Sequence, residues 1–248
     1  MIINALKVIP GSTGGKDMKK YKADRMAEVN GIKLHYAVAG EGRPVILLHG
    51  NGEDHDLFDT EIDQLVEAGY RVFAPDSRGH GVNEALEEYH YDDMAEDFFQ
   101  LIKALNLDKP ALYGHSDGGI IALLLELHHP GTLGIMAISG TNLSPAGLIP
   151  SFIEEYTKIN EKNPDPLITL MLAEPQIDQE DLKKISIPVL VTAGENDLIL
   201  PDETERITAN LPDSQLVIVK GADHGSYITE SEIMGNLLIE FLRERWER

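Results

Sequence analysis

Short aliphatic runs that return along the chain, with helical patterns between them, constrain this sequence more than any other feature. "VILLHG" (Val45–Gly50) is continuously apolar up to His49, as a strand buried on both faces must be. "YRVFAP" (70–75), "ALYG" (111–114), "GIMAIS" (134–139), "PVLVTAG" (188–194) and "QLVIV" (215–219) repeat the pattern. Before them, Met26–Asn30 and Lys33–Ala39 predict a hairpin that turns at Asn30-Gly31. Between strands, Phe58, Ile62, Leu65 and Val66 fall at helical spacing, as do Met94, Phe98, Leu101, Ile102 and Leu105. Ile120–Leu127 is apolar nearly all round, so that helix is buried. Pro201 suits the first turn of a helix ending before Pro212, and Ile233, Leu237, Leu238, Phe241 and Leu242 stripe a final one. This alternation predicts an α/β fold with a doubly wound, mostly parallel sheet.

One stretch breaks the rhythm. Thr141 to about Lys184 holds five prolines and no strand pattern, yet contains apolar clusters at Phe152-Ile153 and Ile168–Leu172. A structureless loop of that length is rare in a compact domain. We therefore expect a small helical cap insertion at about 141–184, within one domain spanning 24–248. Residues 1–23, with the Gly- and Ser-containing Gly11–Asp17, read as a flexible N-terminal extension.

Composition narrows the partners. Forty-two acidic against 21 basic side chains give a formal charge of −21, a field that repels phosphate backbones and anionic lipid. Nucleic acid and membrane are excluded as expected partners, leaving a small-molecule substrate. There is no cysteine, hence no disulfide or thiolate chemistry. No apolar run approaches the ~20 residues that cross a bilayer, and the N-terminus lacks the pattern of a signal peptide, so a cytoplasmic location is expected. The sequence does not determine an oligomeric state.

Within this frame, "ALYGHSDGG" (Ala111–Gly119) sends a buried strand into a serine flanked by Gly114 and Gly118, with a buried helix directly behind. Tiny neighbours permit a sharp, strained corner that holds the Ser116 hydroxyl above the C-terminal edge of the sheet. The alternative is an ordinary turn in which Ser116 caps the helix. A nucleophilic serine needs a base and an orienting acid. "GADHGSY" puts His224 just after the last strand, and "AGENDLILP" puts Asp197 just after the preceding one, both at the edge of Ser116. Either residue alone reads as a surface or turn residue; their joint placement in the order Ser, Asp, His points to a triad. Glu195 is the fallback acid. For an oxyanion, the backbone N–H of Asp117 and that of Asn51, in "LLHGNGEDH", are the natural donors.

His49-Gly50, "DSRGHG" (Asp76–Gly81), Gly114–Gly118, Asp197 and His224 together resemble the α/β-hydrolase superfamily, in its small-capped, esterase-like branch. The resemblance implies Ser116 as nucleophile, His224 as base, Asp197 as orienter, and no metal or organic cofactor. Asp76 and Arg78 read as scaffold for the neighbouring loops. The expected activity is serine hydrolysis of a small or medium carboxylic ester or thioester through an acyl-enzyme. Amino-acid ester, lactone, amide or carbon–carbon hydrolysis, acyl transfer, and a small-ligand receptor with vestigial activity remain alternatives. The Asp117 carboxylate is a candidate anchor for a substrate amine, against the plainer reading that it complements the helix dipole. Phe152, Tyr156, Leu170 and Met171 are candidate pocket residues, or equally the apolar contacts that hold the insertion to the body.

Overall fold

The computed structural model describes residues 23–246. The expected N-terminal extension thus lies outside the described residues, apart from its final residue. The eight expected strands form one sheet: β1 (Ala23–Val29), β2 (Ile32–Ala39), β3 (Arg43–Leu48), β4 (Tyr70–Pro75), β5 (Ala111–His115), β6 (Ile135–Ser139), β7 (Val189–Gly194) and β8 (Ser214–Val219). Their order across the sheet is β1-β2-β4-β3-β5-β6-β7-β8. β2 pairs antiparallel with both β1 and β4, and every other neighbouring pair is parallel. The hairpin turns at Asn30 and Gly31 with φ of 46° and 78°, values that asparagine and glycine tolerate and that match the twist of the strands.

Among the described residues, seven α-helices accompany the sheet: α1 (Asp59–Glu67), α2 (Tyr91–Ala104), α3 (Asp117–His128), α4 (Pro150–Lys162), α5 (Pro166–Ala173), α6 (Pro201–Asn210) and α7 (Ile233–Arg245). The pleat divides each strand between two cores. Ile46 and Leu48 of β3 join Leu112, Met136 and Val191 against α2, α3 and α6. Val45 and Leu47 join Tyr113, Ala137 and Leu190 against α1 and α7. Continuous aliphatic strands are what such two-sided burial requires.

The insertion between β6 and β7 contains α4 and α5 with short 3-10 turns at Pro145–Gly147 and Gln179–Lys184. Both helices start on a proline, and the Asp165 side chain caps α5 by accepting from the N–H groups of Leu167 and Ile168. α4 buries no residue and α5 only Leu170, so the pair lies loosely on the body. Because β3, β5, β7 and β8 run parallel, the segments that follow them, carrying Asn51, Ser116, Asp197 and His224, gather at one edge of the sheet.

Candidate active site

Ser116 stands between β5 and α3 with φ 52° and ψ −115°, a conformation that a side chain rarely adopts. Its N–H donates to the Ser139 carbonyl at 2.8 Å, and its own carbonyl accepts from Gly119 and Ile120. Side chains at the flanking glycines are impossible: a Cβ on Gly114 would collide with the Gly118 carbonyl, and one on Gly118 with the Leu48 carbonyl. The Ser116 side chain makes no capping hydrogen bond. The ordinary helix-cap reading therefore fails, and the backbone holds the hydroxyl out.

His224 donates from Nδ1 to Oδ1 of Asp197 at 2.6 Å; a carboxylate only accepts, so the proton sits on Nδ1 and leaves the Nε2 lone pair free. Asp197 also accepts from the Gly194 and Ile199 amides. Burial alone would raise its pKa, but His224 and these amides outweigh it and hold the carboxyl below its ordinary value. Glu195, the fallback acid, is exposed and accepts instead from the Gly221 N–H. The His224 ring lies over Gly140, where a Cβ would stand 2.6 Å from Cε1, and against the His115 ring, 4.8 Å between centroids. His115 and Ser139 are paired across β5 and β6, so the imidazole sits one residue from Ser116 on one strand and one from Ser139 on the other. Among the described residues no hydrogen bond joins the Ser116 hydroxyl to His224.

The loop after β3 supplies the other wall. Gly50 and Glu53 close a reciprocal turn, in which the Gly50 carbonyl accepts from the Glu53 N–H at 3.3 Å and a Glu53 oxygen accepts from the Gly50 N–H at 2.8 Å. The Gly50 amide is thus occupied, while the backbone N–H groups of Asn51 and Asp117 have no partner among the described residues. The two residues are joined through their side chains instead: Asn51 Nδ2 donates to Asp117 Oδ2 at 3.0 Å and to the Leu167 carbonyl at the start of α5 at 3.2 Å. The Asp117 carboxylate is buried, and burial raises its pKa against the opposing pull of Tyr91 and Asn51. The Tyr91 hydroxyl lies beside it without reaching hydrogen-bond geometry.

Sequence comparison decides what this arrangement belongs to. Residues 43–155 match a family model described as the alpha/beta hydrolase fold, and residues 171–245 match one described as TAP-like protein. The AB hydrolase superfamily protein YisY of Bacillus subtilis is 28% identical, over 85% of this chain and 95% of the relative. The chain is an α/β-hydrolase. The human serine hydrolase BPHL is 27% identical to this hydrolase, over 87% of this chain and 84% of the relative. An esterase from Exiguobacterium antarcticum shares its fold, with a TM-score of 0.79 at 22% identity, over 88% of this chain and 98% of that one.

Around the site, the hydrolase is braced by histidines and carboxylates. Asp76 accepts from Nδ1 of His35 and of His55, both at 2.7 Å. Burial would raise its pKa, but these bonds prevail and hold it at about 2. Ligand atoms of His35, His55 and Asp76 lie close enough together for a metal, yet the three already satisfy one another by hydrogen bonding. Arg78 is forked onto Asp97 at 2.7 Å and reaches Asp93. Asp76 and Arg78 therefore tie β2, α2 and the loops together, as scaffold. Buried His49 accepts from the Ser77 N–H and bonds the Gly50 carbonyl; burial, then His80, lowers its pKa to about 4. Burial, then His224, lowers that of His115 to about 3, so an uncharged ring faces His224.

The four expected pocket residues separate. Phe152 and Tyr156 pack on each other, 4.3 Å between centroids, half-buried on α4. Met171 is half-buried on α5. Leu170 is buried within the α2–α3 core, where it anchors the insertion. Sequence reasoning missed Glu53, Tyr91 and the side-chain brace of Asn51. The Gly-x-x-Glu spacing at 50–53 was the available signal for Glu53. Among the described residues, no helix is long and apolar enough to cross a membrane.

Proposed function

We propose that this hydrolase cleaves small or medium carboxylic esters or thioesters through an acyl-enzyme on Ser116, with His224 as base and Asp197 as its orienter. The observation that carries this reading is the 2.6 Å His224–Asp197 bond at the rim where Ser116 is held in its strained corner. Nε2 of His224 takes the hydroxyl proton as Ser116 attacks the carbonyl. The Asn51 and Asp117 amides, unpartnered and facing the same rim, receive the developing oxyanion at the N-terminus of α3. The imidazolium gives its proton to the leaving alcohol or thiol, and water repeats the cycle to release the acid. The insertion with α4 and α5 acts as a cap, joined to the oxyanion loop through Asn51 and Leu167. The hydrogen bond from Asn51 favours a positioning task for the Asp117 carboxylate over an amine anchor.

Ser116→Ala should abolish turnover of p-nitrophenyl esters while leaving circular dichroism and melting cooperativity intact. Wild-type rates in that variant would remove Ser116 from the chemistry. Tight ligand binding by wild type with no turnover of any ester, thioester or lactone would instead favour a receptor.

A further inference from the structure

We propose that Glu53 sets the charge selectivity of this site, so that its substrates are neutral or cationic esters and those with an anion near the scissile bond are rejected. The inference rests on the reading of Ser116 as nucleophile and deepens it. Glu53 is pinned by the reciprocal turn with Gly50, so its carboxylate has one address. A methyl group built on Gly50 would stand 2.8 Å from Oε2 of Glu53 and 3.0 Å from Cβ of Ser116. The carboxylate and the serine side chain therefore flank the same small volume. Burial raises the pKa of Glu53 against the opposing pull of the Gly50 N–H, and Asp117, the second carboxylate at this rim, raises it further. Arg78, on the neighbouring loop, is committed to Asp97 and Asp93. A substrate carboxylate or phosphate near Ser116 would thus meet two acidic groups, Glu53 and Asp117. Acyl groups on phosphorylated carriers are disfavoured for the same reason. The overall charge of −21 acts at long range and fades with salt, whereas a partly buried carboxylate beside the substrate is screened much less.

A carboxylate that merely held the loop would be replaced by an amide without altering substrate ranking, because a glutamine oxygen still accepts the Gly50 N–H. The decisive experiment compares Glu53→Gln with wild type on three p-nitrophenyl esters of equal acyl length, ending in a methyl, a carboxylate or a trimethylammonium group. Wild type should turn over the carboxylate ester about tenfold more slowly than the methyl ester by kcat/KM. Glu53→Gln should raise the carboxylate-to-methyl ratio about fivefold to tenfold, and lower the trimethylammonium-to-methyl ratio. Equal wild-type rates on carboxylate and methyl esters, or ratios unmoved by the substitution, would overturn the proposal. If Glu53→Gln does not fold, the wild-type carboxylate-to-methyl ratio should stay well below one at high salt, where the long-range field is screened, and a ratio that rises to one there overturns it. Failure of the underlying reading shows separately, as Ser116→Ala still hydrolysing the methyl ester.

Discussion

Asn51 offers two things at once: a backbone N–H left open, and a side chain that ties the residue to Asp117 and to the first turn of α5. Truncating it leaves the amide in place but frees it to wander. For Asn51→Ala we expect kcat to fall about tenfold with little change in KM, since displaced donors weaken transition-state binding more than substrate binding. Asn51→Asp should be worse, because it sets a second carboxylate against Asp117. Steady-state kinetics of the two variants checks this, and an unchanged kcat in Asn51→Ala would show that the brace is dispensable. The gathering of Ser116, Asp197 and His224 at one edge of the sheet was legible in the sequence because each follows its own apolar run. The Asn51 brace was not. It depends on how far apart two loops come to rest, which no spacing along the chain encodes. Glu53 was less hidden, since its Gly50 partner lies three residues away and the Gly-x-x-Glu spacing marks the turn.

Among the elements, α1 holds a contradiction between residue type and position. Phe58, Ile62 and Leu65 define its inward face, and Glu61 falls among them, fully buried with neither carboxylate oxygen hydrogen-bonded. Burial raises its pKa well above the ordinary value. The neutral acid is the form this site accepts, so whatever Glu61 contributes is present in full below its unfolded pKa and is lost as pH rises toward the folded one. Glu61→Leu should therefore stabilise the hydrolase at pH 7 to 8 by about 1–3 kcal/mol, with the gain shrinking as pH falls toward 4. Urea unfolding across that range measures it; a gain independent of pH would mean that Glu61 titrates as in the unfolded chain. Glu61 lies three residues after Phe58 and four before Leu65, a spacing that shares their face, but its residue type points to water and hid it. The six strands β3 to β8 were legible from their apolar runs, and β1 and β2 from the hairpin turn at Asn30-Gly31. Their order across the sheet was not, nor was the antiparallel pairing of β2 with β4, because both depend on partners far away in sequence.

For the molecule as a whole, acid stability turns on carboxylates whose pKa falls on folding. Asp76, at the junction of β2, β4 and the loop after β3, is the clearest case, held at about 2. A depressed pKa contributes stability above the unfolded value of ~4 that is lost as pH drops through the folded one. The difference in unfolding free energy between wild type and Asp76→Asn should be about 2 kcal/mol or more above pH 4 and should narrow toward pH 2. Chemical denaturation at several pH values tests it, and a gap that stays constant would assign the loss to packing. The acidic surface pulls the other way, since protonation relieves repulsion within a chain of charge −21. The paired comparison removes that common background.

The contacts of Gly114 and Gly118 with backbone carbonyls have a bearing on how such a molecule can diverge. With no room for even one methyl group at either position, β3, β5 and α3 are locked at a fixed separation, and Ser116 is locked with them. Gradual drift of the Ser116 side chain is closed to mutation. Novelty in what is accepted must enter through α4 and α5, which can be rewritten without disturbing that lock.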